Sequence, residues 1–101
     1  MAQIEAMLAD DPDDAFLRYG LAMEHASAGD DDACVAVLRD LLTRTAADPY
    51  VPAFLQCGQA LARLDRTPEA CEVLKRGIDA ARRSGDTHAL GEMQGLLSSL
   101  E

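Results

Sequence analysis

The sequence predicts an all-α fold in which antiparallel helix pairs stack side by side. Three observations carry this. Apolar residues return every three or four positions in five long segments and one short one, the spacing of a single helix face. Compact signals rich in Gly, Pro and Asp separate those segments. The residue supply also favours helix: Ala, Leu, Arg and Glu are common and β-branched residues are few. With 49% hydrophobic residues, 4% aromatic and no Trp, the core must be built from Leu, Ala, Val, Met and Cys.

Taken in order, a short helix is expected over about 2–9, where Ile4, Met7 and Leu8 recur at helical spacing. Asp10-Asp11-Pro12-Asp13-Asp14 ends it, and a helix over about 14–28 follows. Ala28-Gly29-Asp30 closes that helix and opens another over about 31–46. Glycine relieves left-handed strain at a helix end, and Asp caps the next start. Asp48-Pro49-Tyr50-Val51-Pro52 leads into a helix over about 52–64. Thr67-Pro68-Glu69-Ala70 places a hydroxyl N-cap before a first-turn proline, opening a helix over about 68–84. Arg82-Arg83 sit in its last turn, where cations suit the helix dipole. Ser84-Gly85-Asp86 then starts a helix over about 87–100. Turns this short force neighbouring helices to pack antiparallel.

The helix pairs repeat. Phe54, Cys57, Gly58 and Leu61 in one helix, with Ala70, Leu74, Gly77 and Ile78 in the next, alternate large and small residues as two closely crossing helices require. A step from Leu21 to Cys57, which is 36 residues, maps this unit back. Leu21-Ala22 then falls on Cys57-Gly58, Gly29 on Asp65, Cys34 on Ala70 and Leu38 on Leu74. Forward, Leu90, Met93 and Leu97 fall on Phe54, Cys57 and Leu61. In the first unit Gly20 competes with Ala22 for the small crossing position, which leaves that helix's register open by two residues. This pattern, with Asp11-Pro12 and Asp48-Pro49 ahead of the two units, resembles the tetratricopeptide repeat family, as a small stand-alone bacterial-type member. The usual period there is about 34 residues.

The resemblance implies a single domain, an antiparallel helix-pair solenoid of about two and a half repeats, with five main helices and a short N-terminal one. Residues 1–12 form an N-terminal cap, 13–48 the first repeat, 49–85 the second and 86–101 a capping helix. On that last helix Leu90, Met93, Leu97 and Leu100 should point inward, with Glu92, Ser98 and Ser99 outward.

The formal net charge of −9 opposes nucleic acid and anionic membrane surfaces, both of which call for a basic patch. Residues 1–50 hold eleven acids and three bases, while residues 51–101 hold seven and six. The acidic half would steer in a basic partner; equally, its acids serve as helix caps and solubilising charges. No run of roughly 18–20 apolar residues spans a bilayer and no signal peptide opens the chain, so a cytoplasmic location is expected. Cys34, Cys57 and Cys71 form no CxxC and read as buried hydrophobes, not as a disulfide or zinc framework. The acid runs lack the spacing of a calcium loop, and no nucleotide, hydrolase or zinc-protease motif occurs. We therefore expect no enzyme activity, no cofactor and no metal.

Members of the family bind peptides in a concave groove lined by the first helix of each repeat. The resemblance places Phe16, Tyr19 and Met23 on that face, then Leu55, Gln59 and Arg63, then His88, Gly91 and Gly95. Phe16, Tyr19 and Met23 follow helical spacing and would make an apolar, partly aromatic stripe; the competing reading buries that stripe under the helix at 2–9. Arg63 and Gln59 could meet a peptide carboxylate or backbone. The Lys/Asn clamp of chaperone-tail-binding members is absent, because Tyr19, Met23, Leu55 and Gln59 stand at its positions. The expected work is thus to bind a peptide or helix of another protein, the alternative being a homo-oligomer joined through end helices or groove.

Overall fold

The computed structural model describes residues 2–101. Six helices follow one another: α1 (Ala2–Asp10), α2 (Ala15–Ser27), α3 (Asp31–Arg44), α4 (Val51–Arg63), α5 (Thr67–Ser84) and α6 (Thr87–Leu100). No strand occurs among the described residues. Each helix packs on the next, and α4 also touches α6, so pairs α2/α3 and α4/α5 stack and α6 closes the end.

Three of the turns share one mechanism. In each, an N–H just past the helix end returns to a carbonyl five residues back: Asp30 to His25 at 2.9 Å, Arg66 to Leu61 at 2.9 Å and Asp86 to Ala81 at 3.0 Å. The residue before it is left-handed: Gly29 at φ 80°, Gly85 at φ 75° and Asp65 at φ 60°. Asp30 and Asp86 then cap the following helix, accepting from Ala33 N–H at 3.1 Å and Ala89 N–H at 3.0 Å. The α4–α5 turn departs on both counts, carrying Asp65 in the strained position and Arg66 at the cap with no side-chain cap bond. The hydroxyl cap expected of Thr67 is therefore corrected: Thr67 is already the first helical residue. Its neighbour Glu69 instead draws Arg66 in, with contacts of 3.0 and 2.6 Å.

The acid runs are structural. Asp14 caps α2 by accepting from Leu17 N–H at 3.0 Å. Asp13 pairs with Arg44 at 2.8 Å, and Asp40 takes Arg18 at 2.8 Å and Arg44 at 2.9 Å. Each such exposed pair contributes less than about 1 kcal/mol.

The core lies between α3, α4 and α5. Leu38, Leu41, Leu61, Leu74, Val73, Cys34 and Cys57 are fully buried there, and Met93 joins them from α6. Burying one such Leu stabilises by about 1.5–3 kcal/mol. Two glycines set the helix separations. A Cβ on Gly58 would stand 2.6 Å from Leu74 Cδ2, so α4 and α5 cross with no room for a methyl group. A Cβ on Gly77 would stand 2.5 Å from both Phe54 Cβ and Met93 Sδ, so α5 is held close to α4 and α6 at one point. In α2 it is Ala22 that takes the buried crossing position, whereas Gly20 faces Ile4 of α1. On α6, Met93 is buried, Leu90, Leu97 and Leu100 pack against the core, and Glu92, Ser98 and Ser99 are exposed.

Candidate protein-binding face

α4 carries three polar side chains, Gln56, Gln59 and Arg63, which with Pro52 define a stripe. Pro52, Gln56, Gln59 and Arg63 recur at the i, i+4, i+7, i+11 spacing of one helix face. All four reach solvent, while Val51, Ala53, Phe54, Leu55, Cys57, Gly58, Ala60 and Leu61 are buried. The 36-residue step carries this stripe onto Phe16, Gly20, Met23 and Ser27 of α2, and onto His88, Glu92, Gly95 and Ser99 of α6. Phe16, Ser27, His88, Glu92, Gly95 and Ser99 are exposed and mark the open side of α2, α4 and α6, while Gly20 lies under α1 and Met23 is partly buried.

The first-repeat helix is where this face turns aromatic. Phe16 is 71% exposed, a large apolar side chain left uncovered by α1. Tyr19 is half-buried and stacks on Tyr50 at the start of α4, ring centroids 5.4 Å apart and planes 30° apart. Burial and the neighbouring Tyr50 push the Tyr19 phenol up, against the pull of a hydrogen bond with Gln56. Tyr19 therefore stays protonated and joins α2 to α4 on the open side. Met23 is partly buried against the core. α1 reaches α2 at Gly20, where Ile4 Cδ1 would lie 3.5 Å from an added Cβ.

The residues expected to line the groove separate into distinct settings. Phe16 is free, and Tyr19 and Met23 are seated at their inner edges. Leu55 is only 9% exposed, turned into the core, so it forms no outer wall. Gln59 is half-buried on the open stripe. Arg63 is committed: its Nε and Nη2 both reach the Asp31 carboxylate at 2.9–3.1 Å, tying the end of α4 to the start of α3. That pairing holds the Asp31 carboxyl below its ordinary value. His88 is exposed on α6 and its Nε2 lies 2.6 Å from Glu92. Gly91 and Gly95 are exposed with nothing packed on them.

Tyr50 and Gln56 were not anticipated. The signal for Gln56 was present, because α4 holds few polar residues and all of them fall on one stripe. Tyr50 had no such signal, because its partner Tyr19 belongs to another repeat. The cysteines stay out of this face: Cys57 is fully buried and its thiol is pushed up to about 11 by burial. No cluster of three metal-ligating side chains occurs among the described residues. No helix among them is long and apolar enough to cross a membrane.

Stacked antiparallel helix pairs, a shared crossing pattern and an open face made by alternate helices define a helical-repeat scaffold. Solved structures give the particular family. A solution structure of a tetratricopeptide repeat domain protein from Salinibacter ruber superposes with a TM-score of 0.78 at 34% identity, covering 89% of each chain. A crystal structure of a tetratricopeptide repeat domain protein from the same organism gives 0.76 at 33% identity, covering 86% of this chain and 94% of that one. A solution structure of a protein from Bordetella parapertussis gives 0.80 at 30% identity, covering 98% and 84%. No protein-family model and no curated protein matches the sequence. The chain belongs to the tetratricopeptide repeat family, whose fold is typically an interaction scaffold.

Proposed function

We propose that this chain is a non-catalytic adaptor that holds an apolar peptide or short helix of another protein across the open side of α2, α4 and α6. The observation that carries this reading is Phe16: a 71% exposed aromatic side chain beside partly buried Tyr19 and Met23. Exposed aromatics of this kind act as anchors when a partner desolvates them. Gln56 and Gln59 stand on the neighbouring stripe with amide groups suited to a peptide backbone. In this reading Leu55 supports the face from beneath, Arg63 braces it through Asp31, and His88 lies at its far end.

The chemistry supports a binding role over catalysis and over nucleic acid. A thiol pushed up to about 11 is no nucleophile at neutral pH. The one arginine on the open stripe of α4 is already neutralised by Asp31, leaving no cation there for a phosphate. Three unpaired cysteines fit a reducing cytoplasm.

The test is comparative capture from the native extract with wild type, Phe16→Ser and Gln56→Ala/Gln59→Ala. Wild type should retain a defined set of proteins that Phe16→Ser loses and the double variant weakens, with unfolding midpoints unchanged. Equal capture by all three at equal stability would remove the open face from the function.

A further inference from the structure

We propose that the end of the solenoid formed by α5 and α6 is a docking groove for the acidic corner of a second copy, the last turn of α1 and the residues after it. This surface is separate from the open face above and stands or falls independently of it.

The groove is a hollow of about 570 Å³ lined by Lys75, Ile78 and Arg82 of α5 and Gln94, Leu97 and Ser98 of α6. Its apolar residues are Ile78 and Leu97, and its two charged residues are both cations. Lys75 meets Glu101 at 3.6 Å, both side chains largely exposed. Asp79, between the two cations on α5, is taken by Arg83 at 2.6 Å. Arg82 joins none of the ion pairs among the described residues. In a chain of net charge −9, this is a basic site with an apolar floor in which Arg82 has no ion-pair partner among the described residues.

The opposite end of the same molecule is its complement. Among the described residues, α1 is the only helix with none buried. Its Ile4 lies over Gly20, while Met7 is 45% exposed. Asp10 and Asp11 are exposed, and Asp11 N–H still bonds the Met7 carbonyl at 3.0 Å, so helical geometry extends through them. Met7, Asp10 and Asp11 thus fall at i, i+3 and i+4, one apolar and two acidic groups on one side. Ile78 to Arg82 rises roughly 6 Å along α5, and Met7 to Asp11 rises roughly 6 Å along α1, so the apolar and charged groups of the two surfaces are equally spaced. Docking places Met7 over Ile78 and Leu97, with Asp10 and Asp11 both toward Arg82, and Lys75 adds positive field from the other side of Ile78.

Because two different surfaces meet, the contact is head-to-tail and does not close at a dimer unless a ring forms. A patch two helical turns long lies at the low end of interface sizes, so association belongs in the high micromolar range.

Sedimentation and light scattering over a concentration series test this on the full chain. The variants are Lys75→Glu/Arg82→Glu, Asp10→Lys/Asp11→Lys and the four substitutions combined. The two doubles move the net charge in opposite directions, and the quadruple returns it to the wild-type value. We expect wild-type mass to climb with concentration, each double to weaken association at least about tenfold, and the quadruple to recover it. On dilution, wild-type amide signals should shift at Met7–Asp11 and at Ile78, Arg82 and Leu97, and stay fixed at Gln56 and Gln59. A wild type with no detectable dimer at about 1 mM, where a contact of high micromolar strength is well populated, overturns the proposal. So does tighter association of Asp10→Lys/Asp11→Lys, which would make net repulsion the controlling term, or a symmetrical dimer that the doubles leave intact.

Discussion

The N-terminal helices and the second repeat differ in how they are held. In α4 and α5 fifteen residues are buried, and glycines at Gly58 and Gly77 let the helices approach until no methyl group fits between them. In α1 and α2 the only buried residue is Ala22, and the two large hydrophobic side chains exposed among the described residues, Met7 and Phe16, belong to these helices. The second repeat is thus the stable body and the N-terminal helices its thinly anchored edge. Binding surfaces draw on the low-stability end of a fold, because a side chain packed into the core cannot also meet a partner.

The sharpest way to break this comparison is to cut equal holes in both regions. Leu61→Ala or Leu74→Ala removes a fully buried side chain at the α4/α5 crossing and should cost about 2–5 kcal/mol. Ile4→Ala, on a half-buried residue of α1, should cost no more than about 1 kcal/mol. Urea unfolding of the three variants reads both, and hydrogen exchange should show α1 amides opening far more readily than those of α4. Comparable losses at Ile4 and Leu61 would mean that α1 is integral to the cooperative core.

Glycine substitutions sharpen the same contrast with opposite signs. Gly77→Ala forces a methyl group to 2.5 Å from Phe54 Cβ and Met93 Sδ. Phe54 Cβ is fixed to its backbone, so the clash persists after Met93 moves; the net loss should be about 2 kcal/mol, an overpacking cost less a helix-propensity gain. Gly20→Ala meets only Ile4 Cδ1 at an ordinary 3.5 Å and should stabilise by up to about 1 kcal/mol. Unfolding midpoints with unchanged slopes check both.

How much of this was legible follows from the range of each interaction. The helices, the 36-residue step, the Gly29-Asp30 and Gly85-Asp86 turns and the Gly58–Leu74 crossing rest on local spacing or on a motif repeated along the chain. Residue-level facing is more fragile. Leu55 and Gln56 are neighbours about 100° apart around α4, and that step separates a core residue from one on the open stripe. Tyr19–Tyr50 and Arg63–Asp31 join residues some thirty positions apart, so no local pattern marks them. Phe16's exposure depends on how far α1 overlaps α2, which its sequence spacing does not encode.

The α4–α5 turn offers a smaller effect inside the stable repeat. Asp65 holds the left-handed position that Gly29 and Gly85 hold in the other two turns. Such a conformation costs a non-glycine residue about 1–2 kcal/mol, part of which glycine returns through its freer unfolded chain. Asp65→Gly should therefore stabilise by about 0.5–1 kcal/mol, and Asp65→Val should destabilise, since a β-branched residue tolerates that conformation least. An unchanged midpoint for Asp65→Gly would show that Asp65 gains a compensating contact in the turn.

The smallest effect is electrostatic. Glu69 takes Arg66 at 2.6 Å and Arg39 at 2.9 Å, joining the start of α5 to α3. The Arg66 hydrogen bond, and then Arg39, hold its carboxyl below the usual glutamate value. A carboxyl lowered on folding contributes stability above its unfolded value, about 4.3, and loses it as pH falls through the lowered folded value. Glu69→Gln should therefore be slightly less stable than wild type at pH 7, and the gap should close once acid protonates Glu69 in both states. These groups are largely exposed, so salt should shrink the gap as well. Arg39 reaches α5 from α3, so this pair bridges the first repeat and the second inside the well-packed part of the fold. A gap that persists at low pH and in high salt would assign the link between repeats to packing of α3 on α4 alone.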